Sequence, residues 1–181
     1  MTRPPSPYVH LESAWSGATP TSGPFGLPEK LGVWFTLDSP RKLAAFTWYT
    51  DARHPNFALF QLFDATPTLI AQAVLSGKEA QRDPGASGWR NVWVHPRPLL
   101  QAATPYLVCG CVVAWGANFG ALNAGPIVNG HFTVLQDGTT PSPSNGRYDA
   151  ATDTTGLYNF LDPPFDPAPG QWYAVDVLVE A

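Results

Sequence analysis

The sequence predicts an all-β protein: a single antiparallel β-sandwich, jelly-roll-like, with a Pro-rich N-terminal arm and a long irregular loop region. Three observations carry this. The 181 residues include 20 Pro and 16 Gly, where an ordinary chain of this length has about 9 Pro, and helix interiors do not tolerate that density. Charged residues (10 Lys and Arg, 14 Asp and Glu) number roughly half of the usual share, about a quarter of all residues, which removes the Glu- and Lys-rich faces of helical bundles. Finally, apolar residues alternate with period two in one short run after another, separated by Pro and Gly turns.

Residues 1–29 are rich in Pro, Ser, Thr and Gly and read as an extended arm. Tyr8, Leu11 and Trp15 give it side chains to bury, so it is expected to dock on a surface. The sandwich domain is assigned to 30–181. In its first strand Leu31, Val33, Phe35 and Leu37 share one face, with Trp34 and Thr36 opposite. In 43–50, Phe46 and Trp48 oppose Thr47 and Tyr49. Residues 57–64 and 68–76, joined by a turn containing Pro67, read as a hairpin. In 89–96, Val92 and Val94 take the core side and leave Trp89 and Trp93 on the other. Strands follow at 106–115 and at 171–180, where Tyr173, Val175 and Val177 oppose Trp172 and Asp176. Between them, 116–170 is expected to be an irregular excursion. Its turn signals are Asn129-Gly130, Asp137-Gly138 and Asn145-Gly146, and its short strand candidates are 131–136 and 156–160.

Several functions are disfavoured by composition. A net charge of −4 does not suit binding to a phosphate backbone, so no nucleic-acid partner is expected. The apolar run 106–115 is too short for a membrane helix. The opening residues MTRPPSPYVHLESAW lack the apolar segment of a secretory signal peptide, so synthesis in the cytoplasm without a membrane anchor is expected. Cys109 and Cys111 fall on one strand face, with Cβ atoms about 6–7 Å apart, too far for an unstrained disulfide. They read as small buried hydrophobes.

Catalytic motifs are missing. His10, His54, His95 and His131 are scattered, and no nucleophile elbow, phosphate-binding glycine loop or zinc-protease motif occurs. Asp162 and Asp166, flanking Pro163-Pro164-Phe165, are a carboxylate pair of the kind a glycosidase uses at suitable separation, and a calcium site could draw on Asp137, Asp149, Asp153 or Asp162. Neither set has a recognisable ligand spacing, and Asp before Pro or Gly is a turn former. The expectation is a non-enzyme with no catalytic, cofactor-binding or metal residues, a structural calcium being the one open cofactor. The stronger signal is aromatic: Trp15, Trp34, Trp89, Trp93 and Trp172 are candidates for a subunit interface or a glycan-stacking platform. A third reading has the chain cover them itself.

Four stretches resemble a β-sandwich domain family of unknown function found in actinobacterial cell-surface proteins, carbohydrate-active enzymes and phage structural proteins. Leu-Gly-Val-Trp-Phe-Thr (31–36) is similar to its opening strand, and Pro-Thr-Leu-Ile-Ala-Gln-Ala (67–73) to a second. Ser-Gly-Trp-Arg-Asn-Val (87–92) through Pro105-Tyr106-Leu107-Val108 looks like the next pair, and Tyr173-Ala-Val-Asp-Val (173–177) like the closing strand. The family usually closes with Tyr-Trp where this chain has Tyr173-Ala174. The resemblance implies the fold and carries no catalytic residues. With the charge-poor composition and the missing leader, it leads to the expectation of a virion structural protein assembled in the host cytoplasm. Minor tail, baseplate and capsid-decoration subunits fit this, binding other virion proteins or further copies of the chain. The alternative expectation is a carbohydrate-binding module recognising host cell-envelope glycans.

Overall fold

The computed structural model describes residues 11–13, 22–25, 29–50, 57–76, 88–112, 115–118, 125–136, 146–150, 166–168, 172–173 and 175–180. All regular structure among them is β-strand, and every pairing is antiparallel. The strands are β1 (Leu11–Ser13), β2 (Ser22–Phe25), β3 (Glu29–Leu37), β4 (Arg41–Thr50), β5 (Phe57–Asp64), β6 (Leu69–Ser76), β7 (Gly88–Trp93) and β8 (Leu99–Leu100). They continue with β9 (Tyr106–Val112), β10 (Trp115–Asn118), β11 (Ile127–Asn129), β12 (Phe132–Val134), β13 (Gly146–Ala150), β14 (Asp166–Ala168), β15 (Trp172–Tyr173) and β16 (Val175–Glu180).

Two sheets form the sandwich. A five-stranded sheet has the order β1-β16-β4-β7, with β8 on the start of β4; an eight-stranded sheet has the order β11-β12-β3-β9-β5-β6, with β13 also on β3 and β14 on β13. The period-two residues of both sheets meet between them. Leu31, Val33, Phe35 and Leu37 of β3, Phe60 and Leu62 of β5, and Tyr106 and Val108 of β9 share one buried cluster with Phe46, Trp48, Val92, Val175 and Val177. Phe60 is a hub across the gap, 5.9 Å from Phe46 in a stacked arrangement and 4.8 Å from Trp48 (ring centroids). Burying such rings removes the most apolar area per residue, so this cluster holds the sheets together.

The 57–76 hairpin forms as expected. Its turn is organised by Asp64, one carboxylate oxygen of which accepts from Thr66 N (2.8 Å), Thr66 Oγ1 (2.7 Å) and Thr68 N (3.0 Å). The Asn129-Gly130 signal is also a turn: Gly130 has φ 54° and joins β11 to β12, the glycine-first pattern of a tight hairpin.

Two expected strands are divided. Residues 106–115 split into β9, in the eight-stranded sheet, and β10, in a separate three-stranded sheet with β2 and β15. Residues 171–180 split into β15 and β16, which lie in the three-stranded and five-stranded sheets. An apolar alternation continues through a change of sheet, so periodicity alone does not mark it. In the arm, β1 pairs with the end of β16 and β2 with β10, so these two pieces are strands of the sheets. In the excursion, β11, β12, β13 and β14 all join the eight-stranded sheet. β12 pairs with Phe35–Leu37 and β13 with Glu29–Val33, so the two share one edge of β3 end to end. The candidate strand at 156–160 and the turn at Asp137-Gly138 lie outside the described residues.

Candidate aromatic face and the Asp38–His131–Arg41 cluster

The outer face of the five-stranded sheet is set by strand register. Across β4 and β7, Trp93 lies opposite Ala45, Asn91 opposite Thr47, and Trp89 opposite Tyr49; on the other side of β4, Asp176 of β16 faces Thr47. Asp176 and Thr47 are buried, while Asn91 is exposed. The face is thus closed over β16 and β4 and opens at β7. Trp93 stands half-buried at that opening, and Trp89, four residues and so about 13 Å away along the strand, is half-buried and packed against the main core cluster. Trp89 meets Tyr49 edge-on, with ring centroids 5.8 Å apart. Asp176 Oδ1 accepts from Val177 N at 2.7 Å, a hydrogen bond that helps offset burial of a carboxylate.

Trp34 takes a different place. It does lie opposite the main core, as parity requires, but it is only 7% exposed and packs in a second buried cluster with Phe63, Leu107, Cys109 and Leu135. Leu135 N donates to Trp34 O (3.1 Å), which fixes the residues after β12 beside it. Lys30 and Gln61, each 1% exposed, are buried on the same face, and the Lys30 ammonium sits 5.3 Å from the centroid of the Phe63 ring. The cover of this face belongs to the chain itself. Cys109 and Cys111 are both buried and neither is in a disulfide. Trp172 lies in β15, its backbone paired with Asn118. Trp15 lies outside the described residues.

One polar cluster escaped sequence reasoning. β3 ends at Leu37 opposite Phe132, which brings the turn after β3 against the Gly130 turn. His131 Nδ1 lies 2.8 Å and 3.0 Å from the two carboxylate oxygens of Asp38, and Arg41 Nη2 lies 2.5 Å from His131 Nε2. Asp38 N also donates to His131 O (3.0 Å). A guanidinium only donates, so Nε2 is the acceptor and Nδ1–H donates to Asp38. The Ser39 hydroxyl, 2.7 Å from Asp38 Oδ1, and then His131 hold the Asp38 carboxyl below its ordinary value. An Asp–His pair acts as a general base only if Nε2 can take a proton from a substrate. Arg41 occupies that position here, so the cluster clamps two turns together. The signal available in sequence was a pair of turn motifs, Asp38-Ser39-Pro40 and Asn129-Gly130-His131, more than ninety positions apart.

Among the described residues no group of three or more His, Cys, Asp or Glu is placed to hold a metal ion. Of the calcium candidates, Asp149 lies in β13, and Asp137, Asp153 and Asp162 lie outside the described residues. Asp166, the partner suggested for Asp162, is in β14 opposite Tyr148. No described helix is long and apolar enough to cross a membrane. No protein-family model matches the chain, and no curated protein matches it. The architecture therefore defines the class, an all-β antiparallel sandwich whose two outer faces are closed over their central strands and open at one edge, β7 in one sheet and β6 in the other, and the likeness of the four strand motifs remains a likeness.

Proposed function

We propose that the protein is a non-enzymatic virion structural subunit, of the minor tail, baseplate or capsid-decoration kind, that binds neighbouring virion proteins. The observation that carries this reading is the opening at β7. Half-buried Trp89 and Trp93 flank exposed Asn91 on a sheet whose rigid backing is the aromatic core. Aromatic residues with little charge are what protein interfaces concentrate at their centres. The Arg41 clamp on His131 adds support, since it occupies the ring nitrogen that acid–base chemistry would use. Mass spectrometry of particles purified from the phage culture that encodes the chain tests the reading. The protein should be present at a fixed copy number, and its absence from intact particles overturns the proposal.

The same two tryptophans favour one second reading, a carbohydrate-binding module for host envelope glycans, because spaced rings beside an amide can stack on sugars. Under it, Trp93→Ala abolishes retention on host envelope material while the thermal midpoint stays near that of the wild type. A wild-type protein with no retention at all removes this reading.

A further inference from the structure

Among the described residues β6 pairs only with β5 and ends the eight-stranded sheet. Free sheet edges invite pairing with another chain, and natural proteins blunt them with Lys, Pro, charge or bulges. Residues 65–77 carry no charge, and β6 holds no Pro. The one blunting device is an irregularity at its start, where Leu62 pairs with Ala71 and Phe63 with Leu69, leaving Ile70 as the extra residue. Gln72 and Val74 are exposed, Val74 at 47%.

The strand is also close to a palindrome. Read outward from Gln72, Ala71 matches Ala73, Ile70 matches Val74 and Leu69 matches Leu75. A two-fold dimer joins one surface to itself, so the surface must complement its own rotated copy. An antiparallel strand pair centred on Gln72 meets that condition. Ala71 faces Ala73 of the second copy, Gln72 faces its own counterpart with amides able to hydrogen-bond across the axis, and Val74 meets the bulged Ile70. We propose that β6 is a self-pairing edge: a second copy of this chain adds antiparallel to it about a two-fold axis at Gln72. The two eight-stranded sheets then run on as one. β6 lies in the other sheet from Trp89 and Trp93, with β7 as its neighbour across the sandwich; the pairing holds whether or not the protein belongs to a virion, because it rests on the backbone edge and sequence of β6 and on neither tryptophan.

Strand pairing alone buries less than a standard interface, so dissociation in the range of about 1–100 μM is expected. Sedimentation velocity of the full chain between about 1 and 500 μM reads it directly. Gln72→Lys sets two ammonium groups face to face at the axis and should lower the dimer fraction at least about tenfold. Gln72 is exposed, so the thermal midpoint of that variant should stay near the wild type. Gln72→Cys gives the register: facing residues of an antiparallel pair lie about 4.5–5.5 Å apart at Cα, within disulfide range. Mild oxidation should then produce a covalent dimer, whereas Val128→Cys, on the opposite edge strand, should not. A chain that stays monomeric throughout the range overturns the proposal. So does a dimer that survives Gln72→Lys, or one that Val128→Cys captures as readily as Gln72→Cys.

Discussion

Trp34 and Trp93 stand on equivalent ground in the sequence and on different ground in the fold. Each alternates with core residues on its strand, and each points away from the space between the sheets. Trp34 is sealed by Phe63, Leu107, Cys109 and Leu135, while Trp93 is half-buried beside the exposed Asn91. The difference teaches that alternation tells which face a side chain takes, and not whether that face meets water. What settles the second question is the third layer of contacts. At β3 that layer includes Leu135, which follows a strand that reaches β3 from almost a hundred positions away.

Substitutions can break this contrast or sharpen it. Trp34→Ala should cost about 3–5 kcal/mol in chemical denaturation, the loss typical of a buried aromatic. A loss no larger than that of Trp93→Ala would dissolve the distinction between the two faces. Gly32→Ala probes the same sealed face from its backbone. A Cβ there would lie 3.0 Å from Cys109 Sγ, 3.0 Å from Val108 O and 3.1 Å from Leu107 Cδ1. Crowding against a neighbouring strand's carbonyl should cost about 1–3 kcal/mol, and an unchanged midpoint would mean that the sealed face has slack. Trp93→Ala, at the open face, should cost about 1 kcal/mol or less. Its effect belongs in binding, so a loss of fold without a loss of partner or glycan would reverse the assignment of the face.

The smallest expected effect is on acid stability, and it lies in the turns rather than the faces. For Asp64, partial burial raises the carboxyl, but the hydrogen bonds from Thr66 and Thr68 outweigh this and leave it below 3.8; Asp38 is lowered too, by Ser39 first and then His131. A carboxyl lowered by folding stabilises the native state above its unfolded pKa. That contribution is lost as pH falls through the lowered folded value. Thermal midpoints measured from pH 5 to pH 2 should therefore decline on the acid side, and Asp64→Asn should flatten part of the decline. An acid limb identical in that variant would show that Asp64 is not among its sources.

Much of the sandwich was legible because its long strands carry their own period. Leu31, Val33, Phe35 and Leu37, the hairpin around Asp64 and the core side of Val92 and Val94 follow from alternation and turn residues alone. Of the short strands, β12 falls within the candidate at 131–136, but β11 and β14 were not legible: they are three residues each, too few to show a period, and exist because a neighbouring strand offers them an edge. The changes of sheet between β9 and β10 and between β15 and β16 were hidden because both halves of each run are apolar. The Asp38–His131–Arg41 clamp was hidden for a related reason, since its members meet only once β12 has found β3.

β16 lies between β1 and β4 in the five-stranded sheet, although it follows every other described strand in the sequence. While a ribosome is still translating residues 1–174, β4 has no neighbour on that side and β1 has nothing to pair with. Val175, Val177 and Val179 are then missing from the space facing Phe60. Pairing strands so distant in sequence is slow, and an unfinished sheet with a bare edge is prone to pair with other nascent chains. Completion of the sandwich thus waits for β16, and a nascent chain stalled before residue 175 should remain open to proteases that the finished domain resists.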